Sequence, residues 1–415
     1  MKKILATLLT TLIFGTLILA QEDTVAYERR PFQMTFFFPP LSTNGANNGN
    51  IVNDVSLNLF LGVSGGVEAF EGGLFMNIDR YYMHGAQLAG FGNVVGANVN
   101  GFQGAGFVNV TGTHVLGAQG AGFVNVAGGN ITGAQGAGFV NVAGGKTTGA
   151  QVAGFVNVTR DTLTGFQGAG FVNVTNKAKN GVQAAGFGNV ASSGHENFQG
   201  AGFFNVADEI EGAQAAGFVN VAGKVKGVQL AAFLNICDSI EGVPLALISV
   251  VKQNGYRKLS FNVSELQYAN LSYKMGVKNL YNIYSFGKPF GPASRWMFGG
   301  GLGGEIDLTE KMVLNIEGTV QQELWIANPS TPYFMYIDRL NLYNTLKVLF
   351  GWRVDDKVDL HVGPTFNVSV AHSNPDFGVL EWNQIPPYSF YNHTNTNYEQ
   401  TNVQMWVGIQ GSISF

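Results

Sequence analysis

The sequence predicts an all-β fold: an antiparallel transmembrane β-barrel of about ten strands that carries an inserted β-solenoid. Three observations predict it. A ten-residue unit, Gly-Ala-Gln-Gly-Ala-Gly-Phe-Val-Asn-Val in its purest form, recurs at intervals of sixteen residues. Long segments that alternate between apolar and polar residues follow the repeats. The chain begins with an apolar leader of the kind that directs export.

Residues 1–20 have the layout of a secretory signal peptide, and we exclude them from the fold. Lys2 and Lys3 form a basic start, residues 4–19 are apolar, and Ala20 is a small residue at the expected cleavage point. No later run is long and apolar enough for a transmembrane helix, which needs about 18 residues or more. The formal net charge of −4 offers no electrostatic basis for binding nucleic acid.

Residues 21–65 are interpreted as the N-terminal barrel strands. Two segments, 32–38 and 55–63, alternate with a period of two, which is typical of strands. A loop rich in Pro, Asn and Gly joins them at 39–54.

Residues 66–250 hold the repeats. Gln recurs in exact steps of sixteen and then of fifteen, and Phe and Asn keep the same interval; the Gln positions are 87, 103, 119, 135, 151, 167, 183, 199, 214 and 229. A fixed period of this length is typical of stacked coils. Sixteen residues are too few for a membrane hairpin, which needs ~9–11 residues in each strand. The repeats therefore predict a β-solenoid.

Each unit combines a constant part with a variable linker. Stacked coils would place each Phe, Asn and Gln about 4.8 Å from its copy, giving an apolar ladder and two amide ladders. We expect these side chains to hold the coils together rather than contact a ligand. A polysaccharide-binding amide face is the alternative. The variable linkers are the better candidates for binding, and they are the segments 111–116, 127–132, 143–148, 159–164 and 175–180.

Residues 251–415 are interpreted as the C-terminal barrel strands. The region 245–277 should supply two strands, and the others are 280–286, 295–306, 312–326, 340–354, 358–371 and 402–415. Several exceed the usual ~5–6 residues and set charge opposite an apolar face, as in membrane barrels. Trp325, Trp352, Trp406 and Tyr284 lie near strand ends, where an aromatic girdle is expected.

The connections are asymmetric, as in outer-membrane barrels. The link at 355–357 is short, whereas those at 327–339 and 372–401 are long and would be extracellular. The repeats would then extend from the periplasmic side of the barrel. If one N-terminal strand is miscounted, they would lie on the cell surface instead. The final Phe415 resembles the terminal aromatic residue of Gram-negative outer-membrane proteins.

No catalytic, cofactor-binding or metal-binding residues are predicted, and no cofactor is expected. The glycines at 299–304 match a dinucleotide motif but lack its βαβ context. The histidines show no ligand spacing, and Cys237 stands where other repeats have a small residue. We expect the inward charges to fill the barrel by pairing, although they could tune ion passage; they are Glu317, Glu323, Lys347 and Arg353.

The repeat Gly-x-Gln-x-Ala-Gly-Phe-x-Asn-Val resembles a bacterial envelope surface-repeat family, together with the flanking segments 37–45 and 241–249. The resemblance implies an exported Gram-negative envelope protein and no known reaction. We therefore expect a non-enzymatic protein of the cell outer membrane with a structural or interaction role. Its partners would be outer-membrane lipid and an envelope or surface protein or glycan. A narrow transport pore and a carbohydrate-binding or carbohydrate-active β-helix are the alternatives.

Overall fold

The computed structural model describes residues 28–37, 39–290, 295–325, 341–355, 357–372, 388–395 and 401–415. The predicted signal peptide lies outside these residues. The chain divides into two compact units, 1–223 and 224–415. The predicted all-β class is confirmed, with a solenoid of parallel strands and a closed antiparallel barrel. No helix in the described ranges is long and apolar enough to cross a membrane.

The first unit is a β-solenoid whose neighbouring coils pair in parallel. Two short 3-10 helices, Pro39–Leu41 and Gly45–Asn50, lie between its first two strands. Its strands are Glu28–Thr35, Ile51–Asn58, Leu61–Gly73, Met76–Ala89, Gly92–Val95, Val99–Ala105, Val108–Thr111, Val115–Ala121, Val124–Ala127, Ile131–Ala137, Val140–Ala143, Thr147–Ala153, Val156–Ala169, Val172–Ala185, Gly188–Ala201, Phe204–Ala207, Glu209–Ala216 and Val219–Ala231, the last of which crosses into the second unit.

The sixteen-residue period is one coil of this solenoid. Gln135 pairs with Gln119 of the coil before it and with Gln151 of the coil after it. Asn141 is aligned in the same way with Asn125 and Asn157. Identical residues therefore stack on identical residues, which is the predicted arrangement.

Two ladders of buried side-chain amides join the coils. Each Gln from Gln103 to Gln214 donates from Nε2 to Oε1 of the Gln in the preceding coil at 2.7–2.8 Å. Each Asn from Asn58 to Asn205 donates from Nδ2 to Oδ1 of the Asn in the following coil at 2.9–3.0 Å. The two ladders thus donate in opposite directions, so their amide dipoles oppose each other.

The linkers contribute to the core, which the sequence interpretation missed. Most linkers bury two residues, namely the first residue of the linker and the residue two positions before the next repeat. Val115, Ile131 and Leu163 hold the second of these places and are at most 1% exposed. Val115 and Ile131 pack with Ala127 and Ala143, which are the first residues of two linkers. The signal was present as an apolar residue two positions before most of the repeats.

Glycine is required where the coils approach most closely. A Cβ on Gly138 would lie 2.1 Å from the carbonyl oxygen of Gly122 in the preceding coil. Two residues earlier in the same coil, a Cβ on Gly136 would meet no atom within 4 Å. The first glycine therefore sets the close stacking of the coils, whereas the second lies on an open surface.

The interpretation of residues 21–65 as barrel strands is wrong for the described part. Strands Glu28–Thr35 and Ile51–Asn58 pair with each other in parallel and belong to the solenoid. Their polar residues, including Gln33 and Ser56, are fully buried in its amide-lined interior, whereas Phe32 is exposed. Alternation shows which residues share a face but does not show which neighbour a strand pairs with.

The second unit contains the last coils and the barrel. The coils end with strands Leu234–Leu245 and Ile248–Val251. Eight antiparallel strands follow, and the barrel closes where the last pairs with the first, at Ser414 and Ser260. These strands are Tyr256–Ser264, Gln267–Val277, Leu280–Pro289, Arg295–Asp307, Met312–Trp325, Asn341–Arg353, Asp359–His372 and Thr401–Ser414, and a short strand Tyr391–Asn395 pairs only with the last of them.

The barrel thus has eight strands rather than the predicted ten or so. All eight C-terminal strands were predicted. The two additional strands in the prediction are the N-terminal segments 32–38 and 55–63, which belong to the solenoid. A hairpin at Ser264-Glu265-Leu266 joins the two barrel strands of the region 245–277. Asn254 and Gly255 lie in the link between the last coil and the barrel.

Side chains along the described barrel strands alternate as predicted, with apolar residues outward. Leu346, Phe350 and Val362 are about half exposed on the outside, and Arg257 and Lys288 are the only charged residues that the described strands direct outward. Trp352 is also exposed. Trp406, however, was wrongly assigned to the aromatic girdle, because it points inward and is fully buried. The side chain of Trp325 lies outside the described part.

The two ends of the barrel differ. The near end carries Tyr256, Ser414 and the short turns at 278–279, 308–311 and 354–358. The far end carries the hairpin 265–266 and the links 290–294, 326–340 and 373–400, most of which lie outside the described residues. The predicted asymmetry of short and long links is therefore present.

We predict that Gly138→Ala opens the solenoid locally, since a Cβ cannot fit against Gly122. Overpacking of this kind costs roughly 1–3 kcal/mol or more. Hydrogen exchange of coils 117–158 in the full-length protein measures it. Gly136→Ala is the matched control and should leave exchange unchanged. Equal effects of the two substitutions would contradict the role given to Gly138.

A second prediction concerns His195, which is 3% exposed and aligned with Ala178 and Ile210 in the core. Burial lowers its pKa to about 4, so the folded coil holds the neutral ring. At a pH below 6.5, the ordinary pKa of histidine, His195 takes up a proton in the unfolded chain but stays neutral in the folded chain. Stability therefore falls as the pH drops from 6.5 towards 4, by up to roughly 3 kcal/mol at ~1.4 kcal/mol per pKa unit.

His195→Leu removes this titration and keeps an apolar side chain of similar size. Its stability advantage over the natural chain should be larger at pH 4.5 than at pH 7.5. Hydrogen exchange of coils 172–216 at both pH values measures the difference. Parallel pH profiles for the two proteins would show that His195 does not carry the effect.

Candidate interaction face and closed barrel lumen

The regular spacing of Phe along the sequence produces a ladder of rings on the outside of the first unit. Successive rings stack at centroid distances of 4.8–5.2 Å, with interplanar angles of 15° or less. We call these rings the aromatic ladder, and its members are Phe37, Phe60, Phe75, Phe91, Phe107, Phe123, Phe139, Phe155, Phe171, Phe187, Phe203 and Phe218. The predicted ladder is therefore present.

The rings are not in the core, however. From Phe60 to Phe218 they remain 37–43% exposed, whereas the Gln and Asn of the same coils are at most 4% exposed. Each ring covers its neighbours in the stack but leaves its outer edge to the surroundings. The expectation that Phe serves only to hold coils together is thus incomplete, because the ladder is also a surface.

The surface beside the ladder is apolar as well. The outward position three residues before each ring is small or aliphatic: Leu88 is 43% exposed, Val152 is 51% exposed, and Gly136 stands there in another coil. The ten constant parts between Gly85 and Ile236 contain no Asp, Glu, Lys or Arg. The charges of the repeats lie in the linkers.

At the first coils this face deepens into an apolar groove of about 750 Å³. Leu57, Gly72, Leu88 and Gly104 lie in equivalent positions of successive coils along it. Leu74 stands out most, being 71% exposed. The groove is lined by Met34, Thr35, Phe36, Leu57, Asn58, Leu59, Phe70, Gly72, Gly73, Leu74, Leu88, Ala89, Gly90, Gly104 and Ala105.

The amide ladders do not form a binding face. Gln135 is 2% exposed and Asn141 is fully buried, and each is bonded to its copies in the neighbouring coils. Asn141 also donates to the carbonyl of Val152 at 2.7 Å. A polysaccharide could not reach these amides without separating the coils.

A buried carboxyl pair ends the Gln ladder. Gln87 donates to Glu71 at 2.6 Å and to Asp79 at 2.7 Å, and both acids are at most 1% exposed. Burial raises the pKa of both carboxyls, and the charge of Glu71 raises that of Asp79 further. Each Gln side chain donates to the Gln of the preceding coil, so the first Gln of the ladder, Gln87, has no preceding Gln to accept its hydrogen bonds. The carboxyl groups of Glu71 and Asp79 accept them instead. This pair was not predicted from the sequence.

Three of the four inward charges named from the sequence form ion pairs inside the barrel, as expected, and they are Glu317, Glu323 and Arg353. Glu317 lies 2.5 Å from Lys274, and each side chain is 2% exposed. Glu323 binds Arg295 through both oxygens. Arg353 reaches Glu305 at 3.1 Å and also pairs with Asp307. Lys347 is buried on the strand beside Glu317.

An apolar cluster closes the far end of the lumen. Leu266, Met297, Tyr343 and Trp406 are each at most 6% exposed and pack together. Glu265 folds inward beside them, where it accepts a hydrogen bond from Trp406 Nε1 at 3.0 Å. The lumen is thus filled at the far end by this cluster and the Arg295–Glu323 pair, and towards the near end by the other ion pairs.

One group in the lumen has the donor set of a metal site. Ligand atoms of Glu305, Asp359 and His361 lie within 4.8 Å of one another, and the ring nitrogens of His361 are buried without a hydrogen-bond partner. However, Lys258 bridges the two carboxylates, with its Nζ 3.3 Å from Glu305 and in contact with Asp359. This ammonium group and Arg353, which also pairs with Glu305, balance the charges of the two acids, and the ammonium group occupies the space between them.

Two other features of the sequence have structural roles. The glycines at 299–304 lie inside a barrel strand, where a Cβ on Gly299 or Gly301 would meet backbone oxygen at 2.0 Å. Cys237 is fully buried in a coil, and burial raises its pKa to about 11. A buried thiol of high pKa is a poor nucleophile.

Comparison of the chain with protein-family models, with curated proteins and with solved structures found no match.

The lumen pairs yield a third prediction. Arg295→Met leaves Glu323 buried without a cation and should destabilise the barrel by roughly 3–5 kcal/mol. Denaturant titration of the full-length protein in detergent micelles measures the loss. Lys252→Met is the control: it removes an exposed pair with Asp238, for which under ~1 kcal/mol is expected.

Adding Glu323→Gln to Arg295→Met removes the unpaired charge and should restore most of the stability. A double variant as unstable as Arg295→Met would show that the loss comes from packing. The charge explanation would then be wrong for this pair.

Proposed function

We propose that the protein is anchored in a Gram-negative outer membrane by its eight-stranded barrel, and that its solenoid presents an interaction face to an apolar partner in the envelope. The observation that carries the proposal is the outer wall of the barrel. Leu346, Phe350 and Val362 are representative of a surface that is apolar along most of each strand. A water-exposed barrel has no physical reason to keep such a wall, whereas lipid requires it.

The backbone of the barrel also suits a membrane. Its closing pairs, such as Ser260 with Ser414, leave no free sheet edge along most of the wall. Unpaired backbone groups are costly in hydrocarbon, so membrane-spanning sheets are closed. The export signal predicted at residues 1–20 agrees with this location.

The two barrel ends suggest an orientation. Membrane barrels of this class keep short turns in the periplasm and long loops outside the cell. The near end has the short turns and receives the chain from the last coil at Tyr256. The repeats would therefore lie in the periplasm, which was the first of the two alternatives.

The contents of the lumen favour an anchor over a transport pore. The pair Lys274–Glu317 lies across it, and the cluster around Trp406 fills its far end. A passage for solutes would need these groups to move apart. Neither amide ladder is accessible to a glycan, which weakens the carbohydrate alternative.

The barrel wall yields the fourth prediction. Leu346→Lys, near the middle of its strand, should destabilise the protein in phospholipid vesicles by roughly 2–4 kcal/mol, because the cation must enter hydrocarbon. Val354→Lys is the control: Val354 is 58% exposed but lies in a near-end turn. Denaturant titration in vesicles gives both values, and heat-modifiable migration in detergent gels reports the folded barrel.

In a barrel surrounded by water, Leu346→Lys would change stability by no more than about 0.5 kcal/mol, as exposed substitutions usually do. That result, or gel migration independent of heating, would overturn the membrane anchor. Large single-channel conductance in planar bilayers would instead favour the pore.

A further inference from the structure

The constant parts of the first unit have the same inside-out arrangement as the barrel. Their buried side chains are amides, such as Gln135 and Asn141, whereas their exposed side chains include Phe139 and Val152. The buried apolar residues, such as Ile131, come from the linkers. A water-soluble solenoid normally does the reverse and buries its largest apolar side chains. Twelve exposed rings in one ladder also exceed the few hundred Å² of contiguous apolar surface usual for a soluble monomer. We therefore expect an apolar partner to cover this surface.

The face offers apolar area without hydrogen-bonding groups. Its backbone is already occupied by coil stacking: the amide of Phe139 donates to the carbonyl of Phe123 at 3.0 Å, and Phe155 donates to Phe139 at 3.1 Å. No charged side chain occurs in the constant parts. Protein interfaces typically need about one hydrogen bond per 100–200 Å², and sugars need more polar contacts than this face provides. Acyl chains need none.

In the second unit, the residue that takes the ladder position in the last coil contacts the outer wall of the barrel. Leu247 precedes Ile248, which pairs with Leu234, so Leu247 takes the place that Phe233 holds in its own coil. The carbonyl of Leu247 accepts hydrogen bonds from Asn282, at 3.0 Å, and from the hydroxyl of Tyr284. Alternation directs both of these side chains outward from the barrel, and Leu247 itself is 57% exposed.

We propose that the aromatic ladder and the apolar positions beside it lie against the bilayer and contact lipid acyl chains, so that the solenoid is a lipid-binding element. The inference rests on the proposed membrane anchor, because the wall onto which Leu247 leads is the one assigned to lipid. The groove lined by Leu57, Phe70 and Leu88 then receives an acyl chain. The linkers, with their charges, remain in water.

Site-specific fluorescence in vesicles tests the contact. The single cysteine is buried, and Cys237→Ala provides a background without thiols because alanine holds this place in other coils. One cysteine is then introduced by Val152→Cys, beside the ladder, or by Thr148→Cys, which is exposed in the same strand on the linker side. A third variant, Leu346→Cys, reports on the barrel wall.

Each full-length variant is labelled with a polarity-sensitive fluorophore and folded into phosphatidylethanolamine–phosphatidylglycerol vesicles. Lipids with brominated acyl chains should quench the Val152→Cys and Leu346→Cys labels several-fold more than the Thr148→Cys label. Aqueous iodide should show the opposite order. Leu88→Asp with Val152→Asp should raise hydrogen exchange of the ladder coils in vesicles, whereas Asn100→Asp with Thr148→Asp should not.

The outcomes separate the inference from the proposed function. Quenching by brominated lipid at Leu346→Cys but not at Val152→Cys would leave the anchor in place and overturn the lipid contact. Shielding of Val152→Cys from both quenchers would also overturn it and would indicate a protein partner or a second copy of the chain. Quenching at Val152→Cys but not at Leu346→Cys would overturn the anchor and retain lipid binding by the ladder.

Discussion

The hydrogen bonds between buried amides of successive coils are the constraint on which the solenoid depends. A Gln or Asn in an apolar interior is costly unless each of its groups finds a partner. Stacking at one coil spacing lets each amide donate to its own copy, which satisfies the Gln and Asn ladders together. This spacing also requires glycine where the coils approach most closely, because a Cβ on Gly138 would collide with the backbone of Gly122. The ends of the ladders need special residues, and Glu71 and Asp79 serve the Gln ladder in this way.

Both units place polar groups inside and apolar groups outside, although their hydrogen bonding differs. In the barrel, carboxylates and cations such as Glu317 and Lys274 neutralise each other in the lumen. In the solenoid, amides take that place, and neutral side chains can repeat in identical register without the repulsion that stacked charges would produce. Where amides occupy the interior, in the constant part of each coil, the large apolar side chains of that part are left for the surface. This distribution is the physical basis for assigning both surfaces to lipid.

Much of the fold could be predicted because it depends on local period. The sixteen-residue step identified the coils, and alternation identified all eight barrel strands and their inward charges. The same alternation misled for residues 32–38 and 55–63, since Gln33 and Ser56 face a polar solenoid interior rather than a barrel lumen. Trp406 was misplaced for a related reason: a strand end can direct an aromatic side chain to either face. The carboxyl pair at the end of the Gln ladder required knowledge of which coils meet.

By itself, the sequence determined the repeat length, the identity of the stacked residues and the alternation of the barrel strands, because each is a spacing along the chain. Only the tertiary structure decided which side of each coil faced inward, where the barrel closed and which charges met in its lumen. These depend on contacts between residues far apart in the chain, such as Ser260 with Ser414 and Arg295 with Glu323. The exposure of the aromatic ladder belongs to this second group, since a regular step of sixteen fits a buried ring and an exposed ring equally well.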